Sequence, residues 1–267
     1  MNKDSLSILQ AEGISFAYGK EPVIRGLDIS VIKGEFLGLI GPNGSGKTTL
    51  LKLLTHILIP AKGRIILQEK AIQEMKRREI SQKIAFIPQE ESTPFAFTAM
   101  EICLMGRTPY LKGFQMEGDH DIEVTRRAMS ITDCYQFRDR NILTLSGGER
   151  RRVYIARALA QEPEIILMDE PTTHLDIHHQ VEIMERVEEL NRGGLTVVMV
   201  SHDINLASRF CSRVTALKEG KVITSGKPGD VVDPDLLETL YGCRLKVSME
   251  GERPFVTLER ENMKGGG

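Results

Sequence analysis

The stretch EFLGLIGPNGSGKTTLLKLL, residues 35–54, passes from an apolar run through a glycine-rich turn into helical periodicity. EFLGLI is almost continuously apolar, as a strand buried on both faces of a parallel sheet must be. TTLLKLLTHIL spaces its leucines as the buried face of a helix does. Between them Gly41, Gly46, Lys47 and Thr48 satisfy G-x-x-x-x-G-K-[ST], with a strand before and a helix after. Glycines let backbone N–H groups turn inward around a phosphate, and the helix N-terminus adds partial positive charge. The pattern therefore predicts a phosphate site made by Gly41, Pro42, Asn43, Gly44, Ser45, Gly46, Lys47, Thr48 and Thr49. Lys47 is expected to reach the β- and γ-phosphates, and Thr48 to ligate Mg²⁺. A glycine-rich turn beside a surface lysine is the plain alternative, and it explains neither the strand nor the helix.

Outward from this loop the chain keeps an α/β rhythm. LSILQAEGISFAYG alternates like strands of a sheet with one wet face, and GRIILQ and KIAFIPQ also read as strands. Residues 93–160 turn helical in texture, with AMEICLMG, DIEVTRRAMSIT and GERRRVYIARALA. After Pro163, EIILMDE and LTVVMVSHD read as buried strands around the helix QVEIMERVEELN. RVTALKEGKVITSG and CRLKVSMEGERPFVTLE read as hairpins, and NMKGGG as a disordered tail. EIILMDEP ends a buried strand in Asp169 and Glu170, at the sheet edge where open α/β proteins bind ligands. Asp169 is expected to hold Mg²⁺ through water, and Glu170 to orient or deprotonate an attacking water.

Composition sets limits. Lys+Arg is 35 and Asp+Glu 37, a net charge of −2, and aromatics are 5% with no tryptophan. Neither a basic footprint nor stacking platforms are present, so no nucleic-acid partner is expected. Cys103, Cys134, Cys211 and Cys243 are widely spaced without a CxxC, which reads as reduced thiols in a cytosolic protein. MNKDSLSILQAEG lacks the apolar run of a signal peptide, and no window approaches eighteen apolar residues. Any membrane role is expected to run through a partner. His174, His178 and His179 have a spacing that can bind metal on a helix, but no third ligand is evident, and no metal site is expected there.

A second glycine device, LSGGE, lies far down the chain at residues 145–149. It reads as a helix N-cap, with Ser146 as cap and Glu149 closing a capping box. It also resembles the L-S-G-G-[Q/E] signature of the ATP-binding cassette (ABC) ATPases, and the resemblance runs from about Leu6 to Gly242. Glu149 stands where glutamine is commoner. The run 150–152, three arginines, reads as a solvated helix face with salt bridges. The resemblance implies a P-loop ABC ATPase core over 1–242, with an N-terminal antiparallel β subdomain and a helical subdomain inserted at about 93–160. Residues 243–267 would form a C-terminal β-hairpin and tail. It further implies that Tyr18 stacks on adenine, that Gln89 contacts Mg²⁺ and the attacking water, and that His202 contacts the γ-phosphate. Ser146, Gly147, Gly148 and Glu149 would cap ATP bound to the other subunit of a homodimer, with Asp176 in the loop crossing that interface.

The subclass follows from GRTPY in the helical region and TTHLDIHHQ in the interface loop, which look like the ATPases of iron–siderophore, haem and vitamin B12 importers. The expected partners are a second copy, integral permease subunits and, indirectly, a substrate-binding protein. The expected place is the cytoplasmic face of the membrane. The alternatives are another transporter class, such as an exporter, or a soluble non-transport cassette protein. A small-molecule kinase has no use for LSGGE.

Overall fold

The computed structural model describes residues 7–89, 95–113, 115–173 and 175–258. β1 (Ser7–Tyr18) and β2 (Glu21–Ile32) form a long antiparallel hairpin. Ser7–Tyr18 is thus one strand rather than several, with its register against β2 shifting at several points, among them between Ala11 and Ile14. β3 (Phe36–Ile40) follows, then α1 (Lys47–Leu54). β4 (Lys62–Leu67) and β5 (Lys70–Ala71) complete a four-stranded antiparallel sheet in the order β2-β1-β4-β5. α2 (Arg77–Lys83) leads into β6 (Ile84–Ile87).

Between β6 and β7 (Ile165–Asp169) stand α3 (Ala99–Leu104), α4 (Asp119–Ile131) and α5 (Gly147–Ala160). The rest alternates: α6 (Ile177–Arg192), β8 (Thr196–Val200), α7 (Ile204–Phe210), β9 (Arg213–Lys218) and β10 (Lys221–Gly226). α8 (Pro228–Val231) and α9 (Pro234–Tyr241) precede a separate hairpin of β11 (Leu245–Glu250) and β12 (Arg253–Leu258).

The central sheet has the order β10-β9-β3-β8-β7-β6, parallel except for β10 at one edge. Every residue of β3, β7 and β8 is buried, which is why they read as unbroken apolar runs. One core lies between the antiparallel sheet, α1 and the central sheet, joining Ile14, Leu27 and Ile65 to Leu50, Leu53 and Leu39. A second lies on the other face, under α6, α7 and α9. The inserted helices have a third, built on Ile102, Met129, Val153 and Tyr154. α5 belongs to two of them: Val153, Tyr154 and Ala156 pack inside the insertion, while Ile155 and Ala158 pack against the central sheet. It is shared by the core of the insertion and that of the central sheet.

Arg107 of GRTPY makes a second joint. It is 1% exposed, and its guanidinium donates to Asp121 at 2.9 Å, to the Ala160 carbonyl at 2.7 Å and to Glu162 at 2.8 Å. It also lies 4.0 Å from the Tyr110 ring. The Arg107 hydrogen bond holds the Asp121 carboxyl below the usual carboxylate range. A buried cation is tolerable only with partners of this kind.

Gly242 closes α9 at a left-handed φ of 72°. The hairpin beyond it is packed on α7. The Asn205 amide donates to the Val256 carbonyl at 3.0 Å and accepts from the Val256 N–H at 2.7 Å, while Arg253 donates to the Ser208 and Cys211 carbonyls. The expected tail NMKGGG lies outside the described residues, as does Thr93, the expected start of the insertion. All four cysteines are free thiols, and only Cys243 is exposed. No described helix is long and apolar enough to cross a membrane.

Candidate nucleotide site

The loop 41–46 turns the chain from β3 into α1 at the C-terminal edge of the parallel strands. Gly46 caps α1 with φ 100°, and a Cβ there would come within 2.8 Å of Ile24 Cδ1. Only glycine fits that left-handed, crowded position. α1 has no side-chain cap and no acid in its first turn, so its leading N–H donors remain open to a ligand. They face a cavity of about 450 Å³. Asn43, Gly44, Gly46, Lys47, Thr48 and Thr49 line one side of it. Gln89, Glu170 and His202, from the ends of β6, β7 and β8, line the other, and Val23 of β2 completes the wall.

Lys47 Nζ folds back onto its own loop, donating to the Gly41 carbonyl at 2.8 Å and the Pro42 carbonyl at 2.9 Å, with Ser45 Oγ at 3.4 Å. Burial pulls the Lys47 ammonium below its usual value, and the negative fields of Glu170 and Asp169 oppose that. The Lys47 Nζ donors thus rest on loop carbonyls, contacts that a phosphate can take over. Asp169 is 2% exposed; burial pushes its carboxyl up, and a hydrogen bond with Thr48 works against the rise. Its Oδ1 has no partner. A buried carboxylate oxygen left open beside a threonine hydroxyl is the hard-oxygen environment a Mg²⁺ ion takes.

Glu170 sits at φ 47°, left-handed and strained for a non-glycine residue by about 1–3 kcal/mol. What holds it there is dense bonding. Its N–H donates to the Val200 carbonyl at 3.2 Å. Its Oε2 accepts from Gln89 Nε2 at 2.8 Å and from Thr173 Oγ1 at 3.0 Å, and its Oε1 pairs with His202 Nε2. The strain aims the carboxylate into the cavity, flanked by the ends of both neighbouring strands.

The second glycine device lies elsewhere. Ser146 caps α5, accepting from the Glu149 N–H at 3.3 Å, and Glu149 returns the bond from the Ser146 N–H at 2.7 Å. That backbone bond is the main reason Glu149 ionises below its usual value, and Arg140 adds to it at 3.2 Å. None of the residues 146–149 lines the cavity. Gly148 is pressed on the ring of His179, which a Cβ would approach to 2.3 Å. His179 is in turn held by Asp176, the N-cap of α6, with Nδ1 2.8 Å from the carboxylate. Tyr18 ends β1, half exposed, its ring edge-on to Phe16 at 4.9 Å and outside the cavity lining.

The structure thus brings Lys47, Thr48, Asp169, Glu170, Gln89 and His202 together, and leaves Tyr18, the 146–149 turn and Asp176 apart from them. Val23 is a site neighbour with no distinctive sequence pattern, while Thr173 and His179 lie within the TTHLDIHHQ run, which did not mark them as contacts of Glu170 and Gly148. The run 150–152 departs from the expected solvated face: Arg151 is only 8% exposed, and Arg152 is largely covered between Asp133 at 3.5 Å and Glu182 at 3.8 Å. In the histidine group, His178 lies 3.7 Å from Glu182 and its ring stands edge-on to that of His179 at 5.5 Å, and His174 lies outside the described residues.

The family model described as ABC transporter matches residues 24–173. The chain is 39% identical to the ferric enterobactin transport ATP-binding protein FepC of Escherichia coli K12, over 91% of this chain and 90% of that one. It is 40% identical to the iron(3+)-hydroxamate import ATP-binding protein FhuC of Bacillus subtilis 168, over 88% of each. To the hemin import ATP-binding protein HmuV of Pseudomonas aeruginosa PAO1 it is 36% identical, over 92% of this chain and 97% of that one. Among solved structures, a transporter assigned to the metal-chelate ABC type, in an inward-facing conformation, superposes with a TM-score of 0.81 at 29% identity, covering 94% of this chain and 96% of that one. An ATP-binding cassette solved as a dimer in a post-hydrolysis state with ADP and Pi superposes at 0.72 and 30% identity, covering 82% and 98%.

Proposed function

We infer, from the premise that this chain belongs to the ABC transporter family, that it energises import of a metal chelate through a separate membrane permease. The chain is an ATP-binding ATPase of that family. The import reading rests on the relatives, whose names specify enterobactin, hydroxamate and hemin uptake. GRTPY and TTHLDIHHQ support the same subclass, and cobalamin stays within it. The chain would work at the cytoplasmic face of the membrane, as a homodimer held by permease subunits that a substrate-binding protein supplies.

ATP would lie with its phosphates over the α1 N-terminus. Lys47 would exchange its loop carbonyls for the β- and γ-phosphates. Thr48, Asp169 and Gln89 would hold Mg²⁺, which when bound neutralises developing charge on the phosphate oxygens. Glu170 would take a proton from the attacking water, so that the new bond forms at the γ-phosphorus as the bond to ADP breaks. Water reaching Glu170 must displace part of its Gln89–His202–Thr173 cage, and His202 would then turn to the γ-phosphate. The observation that carries the dimer is the exclusion of residues 146–149 from their own cavity. Two copies set head to tail would place each turn over the other's γ-phosphate, and Asp176 at the seam. Because those contacts exist only in the closed dimer, ATP would shift the equilibrium toward closure.

An in-frame deletion in the native host tests the cargo class. The expected result is loss of growth on ferric siderophores or haem as sole iron source, or loss of cobalamin uptake, restored by the wild-type chain and not by Lys47→Ala. Undiminished uptake of every chelate class in the deletion strain would overturn the import reading.

A further inference from the structure

Arg151 lies on α5, next to the turn that is proposed to cap the partner's nucleotide. Its guanidinium is pulled inward, where a charge is costly unless it is well bonded. Nη1 donates to the Pro88 carbonyl at 3.0 Å, and Nη2 reaches the Asp169 carbonyl at 3.5 Å. Both acceptors are specific to function. The Pro88 carbonyl belongs to the same planar peptide as the N–H of Gln89, and the Asp169 carbonyl to the same peptide as that of Glu170. A peptide plane carries the Cα of the following residue with it. Holding these two oxygens therefore holds the roots of both side chains. β6 and β7 are adjacent parallel strands, with Ile87 opposite Met168, so the fork spans two neighbouring strand ends. Gln89 and Glu170 then meet at 2.8 Å.

We propose that Arg151 is a positioning residue, which sets Gln89 and Glu170 from the helix whose N-terminus caps the partner's nucleotide. The inference rests on the hydrolytic roles given above to Glu170 and Gln89. Its consequence is communication. Residues 146–149 and Arg151 share the first turns of one helix, and α5 packs against both the insertion and the central sheet. A shift of the turn on the partner's nucleotide moves the Arg151 fork, and with it the water-orienting pair of its own subunit. Closure at one site is thereby felt at the other.

The test compares Arg151→Met, Arg151→Gln and Arg151→Lys in the purified full chain, with ATPase kinetics, ATP cooperativity and Tm. Arg151→Met is expected to lower kcat about 10- to 10²-fold, the cost of misplacing a catalytic group by about 1 Å. KM should change less than about twofold, because Lys47 and the phosphate loop are untouched. The Hill coefficient should fall toward 1. Arg151→Lys should recover part of kcat by reaching one carbonyl, and Arg151→Gln, whose amide keeps a hydrogen-bond donor that Met lacks, should fall between Met and Lys. In a Glu170→Gln background, Arg151→Met should add little further loss, since both act on the same step. Unchanged kcat and cooperativity in a folded Arg151→Met or Arg151→Gln would overturn the proposal. So would a loss that tracks Tm alone and is fully additive with Glu170→Gln. If Glu170→Gln itself hydrolyses ATP normally, the fault lies with the role of Glu170 instead.

Discussion

Asp169 carries the sharpest conflict between stability and function at the residue scale. Burial raises its carboxyl above the ordinary value of 3.8. Above that value the native state holds a proton more tightly than the unfolded chain does, so stability is lost as pH rises through the raised native value. Asp169→Asn should therefore raise the Tm of the nucleotide-free protein at pH 7, by about 2–4 °C for each kcal/mol relieved. The advantage should fade as the pH drops below 3.8. Thermal melts across pH read this directly, and a lower Tm for Asp169→Asn at pH 7 would refute the desolvation argument. Lys47 makes the complementary case. Lys47→Ala removes the lysine ammonium among the described residues that line the cavity, and ATP affinity measured by calorimetry should fall at least about tenfold, the loss expected for a charge-assisted contact. Near-wild-type affinity would strip Lys47 of its role. These residues were legible in the chain because phosphate and metal chemistry demand fixed residue types at fixed spacing. Arg151 was not legible, since a run of arginines reads as solvated and only the fold shows which of them turns inward.

At the scale of elements, the contact between α5 and α6 is set by what Gly148 lacks. Gly148→Ala would drive a methyl into the His179 ring, 2.3 Å from Cδ2. The ring or the helix must then move, at about 1–3 kcal/mol for such overpacking. His179→Ala should relieve the clash, so a double-mutant cycle on stability should show a coupling of about 0.5–3 kcal/mol. Strict additivity would mean that the two helix ends do not press on each other. Buried strands were readable from their apolar runs, and β3, β7 and β8 stand where those runs are. β1 was harder, because its register shifts disturb the alternation on which a strand is recognised. The docking of β11 and β12 on α7 was invisible, because it depends on Asn205 and Arg253, polar residues that reach distant backbone.

At the scale of the whole molecule, one chain carries two glycine devices that its fold keeps apart. The phosphate loop opens into a cavity with Glu170, while residues 146–149, at the start of α5, are not among the residues that line it. Under the proposed function, each copy supplies the half-site that the other lacks. The most direct measurement uses Glu170→Gln in every chain, so that bound ATP persists. Chains with Ser146→Arg, which block the cap, are mixed with chains carrying Lys47→Ala, which block the phosphate loop. In a mixed dimer acting in trans, one site holds both lesions and the other is intact. Size exclusion with radiolabelled ATP should then find a closed dimer trapping about one nucleotide, where neither single variant traps any, because one unbroken site suffices for the closed state. Trapping in the mixture no better than in either variant alone would mean that every site contains a broken part, and that the 146–149 turn serves its own subunit.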